Sequence, residues 1–127
     1  VKYKVIVETD IIDRPKDHEM RAALIVANGY FKSDVVFLRQ NTYSTPDLDI
    51  HGVKWEIKSP LGNGKKTIDN NLRNARRQST NIILDFSRMK LHQTKALARI
   101  NHYLRSGPHN IKKLIVIVKT QKILEIL

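Results

Sequence analysis

The chain has 127 residues, enough for one hydrophobic core and too few for two. It carries 23 Lys and Arg against 12 Asp and Glu, and the resulting net charge of +11 points to a polyanionic partner, nucleic acid first. Cysteine is absent, which excludes disulfides and thiolate metal sites, and no apolar run approaches the ~20 residues of a membrane helix.

The first residues, Val1–Val7, alternate apolar and basic types without the apolar stretch of a signal peptide. A first residue of Val rather than Met is what a fragment of a longer polypeptide would show, and processing would give the same. Residues 3–9 read as a short strand. Asp13 and Pro15 mark a helix start and Gly29 its stop, with Met20, Ala23, Leu24 and Ala27 as the apolar stripe between them. Residues 34–39 read as a strand, and 46–51 and 53–59 as two more joined at His51-Gly52. Gly62–Lys66 reads as a mobile basic loop. It lacks the residues of a phosphate-binding P-loop, since Ser59 stands for the first Gly and Lys66 for the Ser or Thr.

A second helix follows at about 67–79 with Ile68, Leu72 and Ala75 inward, then a buried strand at 81–86. A third helix at about 91–105 turns Leu97, Ile100 and Leu104 inward and ends at Gly107-Pro108. Strands at about 111–118 and 122–127 close the chain, turning near Thr120-Gln121. The alternation of elements predicts a single α/β domain, residues 1–12 forming an N-terminal strand and extension and 13–127 the core. Its sheet is expected to be mixed, largely antiparallel and flanked by helices.

The hairpin at His51-Gly52 carries the chemistry. A tight turn there pairs Ile50 with Val53, Asp49 with Lys54, Leu48 with Trp55 and Asp47 with Glu56. Leu48, Ile50, Val53, Trp55 and Ile57 then share the core face, and Asp47, Asp49, Lys54, Glu56 and Lys58 the other. Asp47 and Glu56 would stand with Cβ atoms about 5 Å apart, a costly like-charge pair unless a cation sits between them. A hard ion such as Mg²⁺ needs only one or two protein carboxylates. Lys58 on the same side could position water or stabilise charge on a phosphate. The same pattern also fits a plain surface hairpin, with Lys54 and Lys58 offsetting the acids. Asp49 competes with Asp47, and a different turn type would shift the register.

Pro46-Asp47 followed by Glu56-Ile57-Lys58 resembles the signature of the PD-(D/E)xK phosphodiesterase superfamily, whose fold is restriction-endonuclease-like. With His18-Glu19, Trp55 through Pro60, Gln78 and Asn81 through Asp85, the chain is similar to the C-terminal tRNA-nuclease toxin domains of contact-dependent growth-inhibition proteins. That resemblance implies metal binding by Asp47 and Glu56, action of Lys58 on the nucleophilic water, Glu19 completing the acidic cluster directly or through water, and Gln78 orienting the substrate or a ligand. It further implies a divalent cofactor (Mg²⁺, with Mn²⁺ or Zn²⁺ as alternatives) and tRNA as substrate. An immunity protein would be the partner, and the domain would pass from a producing bacterium's surface into a target cell's cytoplasm.

Lys65, Lys66, Arg73, Arg76 and Arg77 are expected nucleic-acid contacts, with a solvated helix face as the plain alternative. Tyr43 is a candidate for base stacking. His92, His102 and His109 show no ligand spacing. Two other functions stay open at this point: a DNA endonuclease of the same chemistry, and a basic nucleic-acid-binding module without catalysis.

Overall fold

The computed structural model describes residues 2–41 and 45–127, so Tyr43 lies outside the described residues. The elements run β1 (Val5–Val7), α1 (Asp17–Val26), β2 (Val35–Phe37), β3 (Leu48–Ile50), β4 (Val53–Lys58), α2 (Lys65–Ala75), β5 (Asn81–Asp85), α3 (Gln93–Arg105), β6 (Lys113–Ile117) and β7 (Ile123–Glu125). The strands form one mixed sheet in sequence order, β1 at one edge and β7 at the other.

The expectation of a largely antiparallel sheet needs correcting. β1/β2, β4/β5 and β5/β6 are parallel, while β2/β3, β3/β4 and β6/β7 are antiparallel. The reason is connectivity. Each helix lies between two adjacent parallel strands and returns the chain to the same end of the sheet, which a short turn cannot do.

Both faces of the sheet are covered. On one, Ala22, Ala23, Val26 and Ala27 of the first helical segment pack against Phe37, Leu48, Trp55, Ile57 and Ile83. On the other, Ile68, Leu72 and Ala75 of α2 and Ala96 and Ile100 of α3 pack against Ile82, Leu84, Leu114 and Val116. This two-sided burial is why β5 reads as an unbroken apolar run: Ile83 serves one core, Ile82 and Leu84 the other.

Three details differ from the sequence reading. Leu24, placed on the inner stripe of α1, is 39% exposed, and Ala22 and Val26 join the expected Ala23 in the contact instead. Gly29 does not stop the helix: the chain widens into a π-type turn over Ala27–Phe31 and stops at Lys32, whose φ is 53°. Val53, expected in the core, is 44% exposed at the tip of the β3–β4 hairpin.

The loop between β4 and α2 is also tied down rather than free. Lys90 N–H donates to the Gly62 carbonyl at 3.2 Å, and Lys65 and Lys66 already belong to α2.

Candidate active site

The β3–β4 hairpin turns at His51 and Gly52, both with positive φ (54° and 78°), as a tight two-residue hairpin turn requires. Asp49 accepts from Gly52 N–H at 2.9 Å and also pairs with Lys54. Those contacts fix the register: Ile50 lies across from Val53, Asp49 from Lys54 and Leu48 from Trp55. They also engage Asp49 in the turn, away from the contacts that Asp47 makes.

One step beyond the ladder, Asp47 and Glu56 engage each other. Asp47 N–H donates to Glu56 Oε1 at 3.2 Å, and Ile57 N–H donates to Asp47 Oδ2 at 3.3 Å. Glu56 is 1% exposed, so the polar face of the hairpin is solvated at Lys54 near the turn and closed off at Glu56. Lys58 Nζ lies 3.2 Å from Glu56 Oε2 and is half-buried itself.

Electrostatics follow from this packing. Burial, then the negative charge of Asp47, pushes the Glu56 carboxyl up to about 8, against a partial offset from Lys58. Burial also raises Asp47, although the Ile57 N–H bond, the neighbouring Glu56 carboxyl and Lys58 pull it back. At neutral pH the pair therefore holds a proton that a cation could replace. Two carboxylates with only oxygen donors fit a hard divalent ion that keeps much of its water shell. Among the described residues no group of three or more His, Asp or Glu is arranged to hold a metal.

Glu19, the expected third acid, has a local role at the start of α1. Its Oε1 accepts from Lys16 N–H at 2.9 Å and caps α1, though its charge still reaches Asp47 and raises it. Gln78 sits in the turn closing α2, where its N–H bonds to the Ala75 carbonyl at 2.9 Å. Lys66, Arg73 and Arg77 are exposed along α2, whereas Arg76 is half-buried on the flank that meets α3, where its carbonyl accepts from Asn110 at 3.0 Å. Of Lys65, only the backbone position at the first turn of α2 is described.

Asp85 was not singled out in the sequence. It is 2% exposed and accepts from Ser87 N–H and Oγ–H, both at 3.0 Å, and from Ser59 Oγ–H at 3.5 Å. Arg88 adds a bond to the Ser59 carbonyl at 3.2 Å. These contacts brace the residue that follows Lys58. The sequence signal was an acid ending an apolar strand, Asn81 through Asp85, where a carboxylate must find partners.

The family model described as "Contact-dependent growth inhibition CdiA C-terminal domain" matches residues 44–123, more than half of the chain. Among solved structures, a chain of the "CdiA-CT/CdiI toxin and immunity complex from Burkholderia pseudomallei" is similar over 97% of this chain and 98% of that one. Sequence identity is 24% and the TM-score 0.64, a likeness of fold. No curated protein matches the sequence.

Proposed function

The chain belongs to the contact-dependent growth inhibition CdiA C-terminal domain family, which makes it a toxin domain of contact-dependent inhibition, and we propose that it acts as a metal-dependent nuclease of PD-(D/E)xK type on tRNA. The observation that carries this reading is the Asp47–Glu56 pair, Glu56 buried and Lys58 against it, in a molecule of net charge +11.

Asp47 and Glu56 would hold the divalent ion, Mg²⁺ before Mn²⁺ or Zn²⁺. When bound, such an ion supplies Lewis-acid polarisation of a phosphate oxygen and eases deprotonation of water. The protein's own part is preorganisation. The cross-strand bonds Asp47 N–H to Glu56 and Ile57 N–H to Asp47 fix both carboxylates before any substrate arrives. Lys58, anchored on Glu56 Oε2, keeps a positive charge at the rim, where it orients the attacking water or offsets charge gathering on the phosphate. Gln78 orients the substrate, and Lys66, Arg73 and Arg77 take backbone phosphates. Glu19 acts through its charge on Asp47 rather than as a ligand.

In this reading the domain is delivered into the target cell and works in its cytoplasm, and an immunity protein neutralises it in the producer. The test is direct. The purified chain is incubated with total tRNA and with plasmid DNA, in Mg²⁺, Mn²⁺ or EDTA. Metal-dependent cleavage of tRNA, abolished by Asp47→Ala, is the expected result. Cleavage of DNA alone would move the substrate to DNA. Salt-sensitive binding with no cleavage under any metal would reduce the domain to a binding module.

A further inference from the structure

Helix α2 has two flanks, and the contacts fix where each one looks. Arg99 of α3 grips Asp69, its Nε 3.0 Å from Oδ1, and Asn110, just after α3, bonds the Arg76 carbonyl. The flank through Asp69 and Arg76 therefore faces α3 and the β5–β6 side. At roughly 100° per residue, the opposite flank carries Thr67, Asn71 and Asn74, and Gln78 follows in the closing turn.

That second flank looks toward β4 and β3. Glu56 and Lys58 project from the same face of the sheet, because their neighbours across the parallel ladder are Ile82 and Leu84, which pack beneath α2 and α3. The amides thus lie on the flank of α2 nearer β4, the strand that carries Glu56 and Lys58. Lys66, Arg73 and Arg77 occupy the exposed crest between the two flanks.

Asparagine is a poor helix former, so two on one flank are not there for helix stability. Asn71 Nδ2 donates to the Thr67 carbonyl at 2.7 Å, which sets the amide plane and leaves Oδ1 as its accepting group. Asn74 is exposed, and its side chain makes no hydrogen bond among the described residues. Amides both donate and accept, which suits the edge of a nucleobase, whereas a phosphate can use only the donating half.

We propose that Asn71 and Asn74 form a nucleotide-reading subsite, which holds the base of an unpaired nucleotide beside the scissile phosphate while the crest residues take the flanking phosphates. The inference rests on the nuclease reading for its place in the reaction, but the subsite itself is a matter of binding.

The test measures binding of fluorescent single-stranded A, C, G and U RNA hexamers in EDTA by anisotropy, for the unaltered chain and for Asn71→Ala with Asn74→Ala. The unaltered chain is expected to favour one base by about tenfold, and the double variant to bind all four within about twofold. An unchanged melting temperature in the variant separates this from a folding defect. Equal binding of the four hexamers by the unaltered chain, or the same preference in the variant, overturns the subsite. The two readings fail separately. Loss of cleavage under every metal overturns the nuclease and leaves the hexamer comparison to decide the subsite. Metal-dependent cleavage with base preference unmoved by the substitutions overturns the subsite alone.

Discussion

A single proton on Glu56 links the site to the stability of the whole chain. Its carboxyl titrates at about 8 in the fold against an ordinary value of 4.5. Between those values the folded chain binds the proton and the unfolded chain does not, so stability falls as pH rises from about 4.5 toward 8 and levels beyond. Gln at this position carries the neutral form at every pH. In metal-free buffer, Glu56→Gln should match the unaltered chain at pH 5 and exceed it at pH 8 by on the order of a few kcal/mol, read from urea midpoints, while activity is lost. A large loss of stability at both pH values would mean that the carboxylate is a structural partner. The pairing of Asp47 with Glu56 was legible from alternation and the turn alone. The burial that raises Glu56 was not, because it is set by the helices packed on that face of the sheet, a tertiary event outside the hairpin.

The hairpin shows why its register could be read and why other details could not. His51-Gly52 is one of the few local sequences compatible with two successive positive φ values, and Leu48, Ile50 and Trp55 fall on one face only in that register. Gly52→Ala is expected to cost about 1 kcal/mol, since an added Cβ meets nothing within 4 Å and the penalty is backbone strain alone. Asp49→Ala removes the Gly52 N–H bond and an exposed pair with Lys54, so its cost should stay below about 1 kcal/mol. Metal-stimulated activity should survive that change, in contrast to Asp47→Ala; its loss would return Asp49 to the site. By comparison, Leu24 and Val53 carried ordinary apolar signals yet lie exposed. Whether an apolar residue is covered depends on how far the neighbouring element extends, and periodicity does not contain that length. The role of Glu19 was obscure for a related reason. An acid three residues after the chain enters a helix serves equally as a cap or as part of a site, and here Lys16 N–H takes its Oε1.

Across the molecule, charge is divided with the fold. Residues 1–57 hold eight Lys and Arg against nine Asp and Glu, whereas residues 58–127 hold fifteen against three. The second half includes α2 and α3, which cover the sheet face from which Glu56 and Lys58 project. A polyanion drawn to the molecule is therefore steered to the side that bears the acidic pair, and the near-neutral first half does not compete for it. This division makes binding sensitive to which cations are removed. With tRNA in EDTA, replacing Lys66, Arg73 and Arg77 together by Gln should lessen the slope of log affinity against log salt by about 2–3 and weaken binding uniformly across tRNA species. Replacing Lys4, Arg14 and Lys32, three exposed cations of the first half, should leave the slope nearly unchanged. Equal effects of the two triple changes would mean that tRNA wraps the molecule without a preferred face. The crest of α2 would then be a solvated helix surface rather than the path of the phosphate backbone.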